Sequence, residues 1–362
     1  MSGDARTPID VLVVSLGSTP GLRTVDDQFA ALLRDCGLTV ELVRPESVGE
    51  VRTLALTDLV QARACRRVAR EALRRVEPRA IVYCSTTAAL LWPEPGAIRF
   101  DALAQRTRPG HHGVWQRPRE LRRLSEATAL IPQAASSLDG APEAARDRAI
   151  VLPVAIEPHS RPSSDLDAAV SALLAPIGER GDKAVAVTYA SDPVKKGLDR
   201  VVGAWHAVRR DGEVLLVAGH DELPREVASA DGIVDLGRLP REVFRGLVRA
   251  VGVLAIAPRR EDYGLVQLEA LAEGARVVTT AAPGSYAALP LLRVLWPEQV
   301  VDEPDDLAAL GNAIRFAVDA RPDPIEPLRA THAVSPWSRE AVLATMREQV
   351  VPVLTGGPTA AP

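Results

Sequence analysis

The segment EDYGLVQLEALAEG, at residues 261–274, is the most informative stretch of the chain for its fold. An apolar run, VGVLAIAP at 251–258, precedes it, and another, ARVVTT at 275–280, follows it. An apolar run, a helical pattern closed by Gly274 and a second apolar run predict a strand, a helix and a parallel strand. The loop between the first strand and the helix is where such a unit binds ligands.

Two carboxylates in this segment are arranged as Glu-x7-Glu. Glu261 lies in the predicted loop and Glu269 in the second turn of the predicted helix. Gly264, at the predicted helix start, lets a ligand approach the backbone, and the free N–H groups there suit a phosphate. One carboxylate can accept hydrogen bonds from sugar hydroxyls and the other from a ribose diol. The alternative is an acidic residue favoured by the helix dipole and an exposed glutamate.

The rest of the chain alternates short apolar strands with amphipathic helices, which is typical of βα units and parallel sheets. The helices predicted in the first half include residues 26–35 and 59–76. A segment with Pro, Ser and Gly near residues 157–164 predicts a linker between two sets of strands. The predicted strands are DVLVVSL, TVELVR, AIVYCS, AIRFD, ATALIP and AIVLPV, and then AVAVTYA, EVLLVAG, GIVDLG, VGVLAIAP and ARVVTT.

Composition sets broad limits on the class of protein. The 362 residues are 47% hydrophobic and 25% charged, which suits two globular domains, and the net charge of −4 does not favour a nucleic-acid partner. No apolar segment precedes VLVVSLG, and AIVYCSTTAALLWP is too short and polar to span a bilayer. Three cysteines fit neither a disulfide framework nor a zinc site, and Cys84 is expected in the core rather than as a nucleophile. We expect a cytoplasmic protein.

A pair of lysines stands out in this arginine-rich chain. Of the 43 basic residues only three are lysines, and Lys195 and Lys196 stand together before Gly197 in the loop that follows AVAVTYA. A flexible ammonium at the start of a helix is a suitable partner for a diphosphate, whereas the alternative is a solvated loop charge. After GIVDL, the turn from Gly237 to Pro240 opens another helix and is expected beside a nucleotide base.

Together these motifs resemble the nucleotide-sugar domain of GT-B glycosyltransferases, in particular the retaining glycosyltransferase family 4, or group 1. The resemblance covers roughly residues 184–285. It implies an α/β protein of two Rossmann-like parallel-sheet domains facing across a cleft, with a C-terminal helix crossing back to the N-domain. The implied parts are an acceptor domain, a donor domain, the crossing helix and a disordered tail, at 1–160, 161–335, 336–355 and 356–362.

The resemblance also implies roles for residues of the second half. Lys196 would contact the donor diphosphate, Glu269 would bind the ribose, and Glu261 would hold the donor sugar near its reacting face. The amides expected to cap the phosphates are those of Tyr263, Gly264 and Leu265. The family usually carries a phosphate-binding Gly-Arg shortly before the lysine, but residues 189–191 are Tyr-Ala-Ser here, and Lys195 and Arg200 are the alternatives. No acidic residue follows Gly284 at the position where the family has one.

In the first half, Gly17 and Ser18 match a glycine-bearing loop that faces the donor diphosphate in this family. Asp101 ends the strand AIRFD, where the family often has a His or Asp near the reacting sugar. His111 and His112 form either a loop pair near the acceptor or a surface turn. Several arginines recur at helical spacing and can meet anionic lipid or a phosphate-bearing acceptor, or form a solvated face. They are Arg63, Arg66, Arg67, Arg70 and Arg74, with Arg117, Arg119, Arg122 and Arg123 further on.

The predicted function is transfer of a sugar from a UDP- or GDP-sugar to a glycan, lipid-linked or small-molecule acceptor, with retention of configuration. No metal or other cofactor is expected, because the nucleotide sugar is a co-substrate. The expected location is cytoplasmic, with a peripheral position on the inner face of the membrane as the alternative. Two rival functions are a non-catalytic nucleotide-sugar-binding GT-B protein and a sugar-nucleotide 2-epimerase. A dinucleotide oxidoreductase is not favoured, because neither half has G-x-G-x-x-G after its first strand.

Overall fold

The chain folds into two compact units. The computed structural model describes residues 6–46, 51, 53–108, 110–157, 163–321 and 323–356. One unit contains the chain up to Ala155 and again from Arg339 onward, and the other spans Ile156–Ser338. The predicted boundary between residues 160 and 161 and all but the first residue of the predicted tail lie outside the described residues.

The first unit is built on a five-stranded sheet in the order β2-β1-β3-β4-β5, with parallel pairing throughout. Its strands are β1 (Thr7–Val14), β2 (Val40–Val43), β3 (Val76–Tyr83), β4 (Ala97–Phe100) and β5 (Leu130–Pro132). Its first helices are α1 (Pro20–Asp35), α2 (Leu54–Arg75), α3 (Thr86–Ala89), α4 (Ala104–Thr107), α5 (Gln116–Glu126) and α6 (Glu143–Arg146). Short 3-10 turns occupy Gly110–Gly113 and Ala135–Leu138.

Helices cover both faces of this sheet, which explains why its strands are continuous apolar runs. Successive residues of β1 point to opposite faces, so Leu12 and Val14 join one core. Val11 and Val13 join a second core together with Phe29 of α1. The alternation places a separate hydrophobic layer on each side of the sheet.

The second unit contains a six-stranded parallel sheet in the order β11-β10-β9-β6-β7-β8. Its strands are β6 (Lys183–Tyr189), β7 (Glu213–Ala218), β8 (Ile233–Gly237), β9 (Val253–Ile256), β10 (Arg276–Thr280) and β11 (Val300–Val301). Its helices are α7 (Ser164–Glu179), α8 (Leu198–Val208), α9 (Arg225–Ala228), α10 (Arg241–Val251), α11 (Leu265–Ala272), α12 (Leu289–Leu295), α13 (Leu307–Asp319) and α14 (Ile325–Ala333). Two 3-10 turns lie at Pro297–Gln299 and Ser335–Trp337.

The C-terminal helical segment returns to the first unit, as the sequence predicted. It begins at Arg339 rather than at residue 336, as α15 (Arg339–Thr345), continues as a π-helix (Met346–Val350) and ends as α16 (Val351–Thr355). Its apolar residues at every fourth position enter the core that contains Val11. They are Val342, Met346, Val350 and Leu354.

The predicted strand AIVLPV is wrong, because it forms only an isolated bridge between Ala149 and Leu130. The chain runs beside β5, where the amides of Ile150 and Leu152 donate to the carbonyls of Leu130 and Pro132 at 2.8 and 2.9 Å. The Leu130 amide donates back to the Arg148 carbonyl at 3.4 Å, but Pro132 has no N–H with which to return a hydrogen bond, so the ladder ends there.

Two helices of the first unit are longer than predicted. The second begins at Leu54, because the Thr53 hydroxyl caps it by accepting a hydrogen bond from the Leu56 amide. It passes directly into β3 at Val76, whose backbone is already extended.

Candidate functional site

The strand order of the second sheet reverses between β6 and β9. If β6 is counted as the first strand of this sheet and the order is read from β8, it becomes 3-2-1-4-5-6. This is the strand order of dinucleotide-binding domains. In such sheets a crevice opens outside the carboxyl ends of the two strands at the reversal, and ligands bind there. The loops at this position are residues 190–197 after β6 and 257–264 after β9, which carry the lysine pair and Glu261.

The loop after β6 is held tightly against the end of β9. The Asp192 carboxylate accepts a hydrogen bond from the Lys195 amide at 2.9 Å, and the Asp192 carbonyl accepts from the Lys196 amide at 2.8 Å. Gly197 has φ +63°, and a Cβ at this position would lie 1.8 Å from the carbonyl oxygen of Ala257. Only glycine therefore permits this close approach of the two loops.

Lys196 and Glu261 meet where the loops after β6 and β9 approach each other. The Lys196 ammonium donates to Glu261 Oε2 at 2.7 Å, and Glu261 Oε1 accepts from the Gly264 amide at 3.2 Å. The Lys196 side chain is 15% exposed and that of Glu261 is 9% exposed. Burial opposes ionisation of Glu261, but the charge and hydrogen bond of Lys196 outweigh it, and the pKa of this carboxyl is lowered. The structure thus joins a cation, an ionised carboxylate and a helix start.

The start of α11 follows directly. Gly264 has φ +85°, and an added Cβ would lie 2.8 Å from the Ala288 side chain and 2.9 Å from that of Tyr286. Of the three amides predicted to cap a phosphate, that of Gly264 already donates to Glu261. The Tyr263 hydroxyl accepts a hydrogen bond from the Trp337 indole at 3.0 Å, and Leu265 is the first residue of the helix.

Glu269 has a partner that sequence reasoning missed. Arg241 Nε donates to Glu269 Oε1 at 2.7 Å, and a second guanidinium nitrogen of Arg241 contacts the same oxygen. The carboxylate is almost fully buried, whereas Arg241 is partly exposed at the first turn of α10. The one sequence feature that could have indicated this pair is the position of Arg241, directly after the turn that is expected beside a nucleotide base.

The residues predicted in the first unit lie on the loops that follow β1 and β4. Gly17 is buried with φ +58°, and its carbonyl accepts from Arg23 Nε at 2.7 Å, whereas Ser18 is exposed. Because the order of this sheet reverses at β1 and β3, the Gly17 loop lies beside its switch point. Asp101 is half-buried immediately after β4.

His111 and His112 lie on a surface turn whose ends are anchored. Their rings are 4.1 Å apart between centroids and tilted by 39°. Arg108, just before the turn, donates to both oxygens of the buried Asp58 at 2.7 and 2.8 Å. The Trp115 indole, just after it, donates to the Ala55 carbonyl at 3.1 Å. The partners of both side chains, Asp58 and Ala55, belong to α2.

A buried polar cluster below the β1 loop was also missed. Ser15 donates to the Asp26 carboxylate at 2.6 Å, and the Arg99 guanidinium lies 3.5 Å from its other oxygen. Burial raises the pKa of Asp26 to about 6, against the charge of Arg99 and the hydrogen bond from Ser15. Burial also raises the pKa of the Cys84 thiol, which lies in the core as expected.

Neither a metal site nor a membrane-spanning helix occurs in the part of the chain that the structure describes. No group of three or more His, Cys, Asp or Glu residues within it is arranged to hold a metal ion. None of its helices combines the length and apolarity needed to cross a membrane.

The comparisons with known proteins agree with this geometry. Residues 183–318 match the family described as "Glycosyl transferases group 1". This match spans β6 to α13 and therefore contains Lys196, Glu261 and Glu269. A search of curated proteins found no significant match.

Solved structures extend the similarity to the whole chain. WaaG, a glycosyltransferase involved in lipopolysaccharide biosynthesis, has a TM-score of 0.66 and 16% identity, covering 96% of this chain and 100% of that one. Anabaena Alr3699/HepE in complex with UDP-glucose has a TM-score of 0.66 and 15% identity, at the same coverages. A UDP-forming α,α-trehalose-phosphate synthase from Burkholderia xenovorans, in complex with glucose-6-phosphate, has a TM-score of 0.56 and 14% identity, covering 83% of this chain and 77% of that one.

The fold is therefore that of GT-B glycosyltransferases, as predicted, and within the second unit residues 183–318 match the predicted group 1 family.

Proposed function

We propose that the protein transfers a sugar from a nucleoside-diphosphate donor, a UDP-sugar in the first place, with retention of configuration. The observation that carries this proposal is the cluster of Lys196, Glu261 and the Gly264 amide at the strand-order reversal. UDP is favoured over GDP because the similar HepE structure is a complex with UDP-glucose.

The chemistry of transfer requires a site that stabilises a departing diphosphate. Negative charge builds on the phosphate oxygens as the bond to the sugar breaks, and fixed donors aimed at that charge lower the barrier. The Lys196 ammonium has three N–H donors and directs one of them to Glu261, so two remain for phosphate oxygens. The amides of Tyr263, just before α11, and of Leu265, its first residue, are proposed as further donors, because a helix N-terminus favours an anion.

The carboxylates would then hold the rest of the donor. The pKa of Glu261 is lowered, so it stays ionised at neutral pH and can accept hydrogen bonds from the hydroxyls of the donor sugar. Arg241 occupies one oxygen of Glu269, and we propose that the other oxygen accepts from the ribose diol. Asp101, Gly17 and Ser18 keep the roles that the family resemblance implies, and no metal is proposed.

The acceptor is a glycan, a lipid-linked sugar or a small molecule. WaaG acts in lipopolysaccharide biosynthesis and the trehalose-phosphate synthase structure holds glucose-6-phosphate, so similar structures serve acceptors of more than one class. A peripheral contact with anionic lipid is supported by one face of α2. Five arginines there line a depression of about 250 Å³ and form no salt bridge among the described residues: Arg63, Arg66, Arg67, Arg70 and Arg74.

The test of this proposal is calorimetric titration with UDP, GDP, ADP and dTDP, followed by NMR of the product formed from the matching nucleotide sugar. We expect one diphosphate to bind, and Lys196→Ala and Glu269→Ala each to weaken it. The product should keep the anomeric configuration of the donor. An intact protein that binds none of the four at millimolar concentration would overturn the proposal, and an inverted product would overturn the retaining mechanism.

A further inference from the structure

The crevice lacks the arginine that group 1 enzymes usually place shortly before the conserved lysine, and the Tyr-Ala-Ser at 189–191 offers no cation. We propose that Lys195 supplies the second positive charge for the donor diphosphate. This inference rests on the proposed function and names a further binding residue of the same site.

The first argument is the balance of charge at the crevice. The Lys196 ammonium is already neutralised by Glu261 at 2.7 Å. The diphosphate of a nucleotide sugar carries two negative charges, so this neutral pair alone gives it little net attraction. A further cation is needed beside the pair.

The second argument is elimination among the cations of the two loops. The segments 190–200 and 257–264 contain five basic residues, and four of them form salt bridges. Lys196 pairs with Glu261, Arg200 with Asp305, Arg259 with Asp199 and Arg260 with Asp262. Among the described residues Lys195 forms none, and its side chain is exposed.

Arg200, the other alternative that the sequence offered, is committed elsewhere. Its guanidinium contacts the Asp305 carboxylate and donates to the Pro258 carbonyl at 3.4 Å. Only 13% of its side chain is exposed. Recruiting Arg200 would break both contacts, whereas Lys195 forms no salt bridge with any residue that the structure describes.

The third argument is position. Lys195 directly precedes Lys196 in the loop after β6, and its charge helps to lower the pKa of the Glu261 carboxyl, so it lies near the Lys196–Glu261 pair. Its backbone is fixed at both ends, because its amide donates to Asp192 and its carbonyl accepts from the Arg259 amide at 2.9 Å. The nearby Asp192 carboxylate holds this amide rather than the ammonium. The backbone of Lys195 is therefore held in place, and its ammonium has no salt-bridge partner among the described residues.

The experiment is a titration of UDP and of uridine into the intact protein and its lysine variants. If another base proves preferred, its diphosphate and nucleoside replace them. The chain has three lysines, and the third, Lys183, starts β6 at the opposite end of the strand from the crevice, so Lys183→Ala is the matched control. We expect Lys195→Ala to weaken binding of the diphosphate about 10- to 100-fold, the loss of one charge-assisted hydrogen bond. Lys195→Arg should restore most of it.

Uridine separates a phosphate contact from a structural role. Its binding should be the same in the intact protein, Lys195→Ala and Lys183→Ala, because it has no phosphate. Equal losses of uridine and UDP in Lys195→Ala would mean that the loop is disturbed, and the inference would be wrong. An unchanged affinity for UDP in Lys195→Ala, with a loss in Lys196→Ala, would overturn the inference and leave the proposed function standing. An intact protein that binds no nucleoside diphosphate would overturn both.

Discussion

The Lys196 ammonium and the Glu261 carboxylate form an ion pair with a 2.7 Å contact that joins the ends of β6 and β9. The two residues are 65 positions apart in the chain, and both are largely buried. The pair fixes the loops on either side of the strand-order reversal before any ligand is present. The same contact thus serves the stability of the second unit and the shape of the proposed donor site.

Removing one partner of this pair should destabilise the second unit. Lys196→Met leaves the Glu261 carboxylate buried without its counter-ion, and we expect a cost of about 3 kcal/mol in the free energy of unfolding. Adding Glu261→Gln should recover about 1–3 kcal/mol, because the two residues are in direct contact. Urea unfolding of both single variants and the double variant measures this coupling. Additive effects of the two changes would show that the pair is not formed in solution.

Gly197 should not tolerate a side chain. Gly197→Ala forces a non-glycine residue to φ +63° and places its Cβ 1.8 Å from the Ala257 carbonyl oxygen. The control is Gly252→Ala, which has φ +83° but no atom within 4 Å of the added Cβ. We expect the control to cost about 1–2 kcal/mol for its backbone conformation. Gly197→Ala should cost about 1–3 kcal/mol more and weaken nucleotide binding. Equal unfolding midpoints for the two variants would contradict the close approach of the loops.

Arg241 should matter for the ribose and not for the phosphates. Arg241→Gln removes the guanidinium that orients the Glu269 carboxylate, so we expect about tenfold weaker binding of UDP. The matched control is Arg210→Gln, because Arg210 also pairs with a carboxylate, that of Asp319, but precedes β7 at the opposite edge of the sheet.

The deoxyribose form of the nucleotide tests the same contact independently. If Glu269 accepts from the ribose diol, dUDP should bind the intact protein less well than UDP does. Arg241→Gln should bind dUDP and UDP about equally. A preference for UDP that survives in Arg241→Gln would mean that Arg241 does not position Glu269.

Asp26 should make stability decline as pH rises through 6. Its folded pKa of about 6 is above its ordinary value of 3.8, so its contribution is fully present below pH 3.8 and is lost as pH rises through about 6. Since one pKa unit is about 1.4 kcal/mol, the loss amounts to about 2–3 kcal/mol. Asp26→Asn removes the titrating carboxyl, so the stability of this variant relative to the intact protein should rise by about 2–3 kcal/mol between pH 4 and pH 7. A difference independent of pH in urea unfolding would show that Asp26 titrates normally.

The arginine face of α2 should bind anionic vesicles. Arg67 and Arg70 are exposed and lie on this face, and each basic residue near an anionic surface contributes about 1 kcal/mol. Arg67→Glu/Arg70→Glu should therefore reduce co-sedimentation with phosphatidylserine-containing vesicles at least tenfold. The charge-matched control is Arg180→Glu/Arg225→Glu, at exposed positions of the second unit. A similar reduction in both variants would indicate that only net charge matters.

Much of the candidate site was predictable because its signals are local. Lys196, Gly197 and Gly264 lie in the loops that follow apolar strands, and in parallel sheets those loops are at the ligand-binding edge. The spacing of Glu261 and Glu269 places them in the loop and in the second turn of one helix. The roles of these residues stay predictions, but their positions at the carboxyl ends of β6 and β9 are those expected from the sequence.

The features that the sequence did not predict correctly depend on contacts between distant segments. The segment AIVLPV has the apolar pattern of a strand, but whether it pairs depends on the donors of its neighbour, and Pro132 has none to return. In the buried cluster, Ser15 and Asp26 are 11 residues apart, but Arg99 comes from β4, much further along the chain. No spacing rule on a single segment could indicate it.

The hydrophobic periodicity, with the Gly and Pro residues between segments, was enough to predict the alternation of strands and helices. It also predicted the edge of the sheet at which the motifs lie. Both features depend on neighbours within a few residues. Pairing between side chains depends instead on strand order and on how loops meet in space. Arg241 reaches Glu269 across 28 residues, and among the described residues Arg259 and Arg260 pair with Asp199 and Asp262 whereas Lys195 forms no salt bridge. Those relationships exist only once β6 lies beside β9, so the tertiary structure alone decided them.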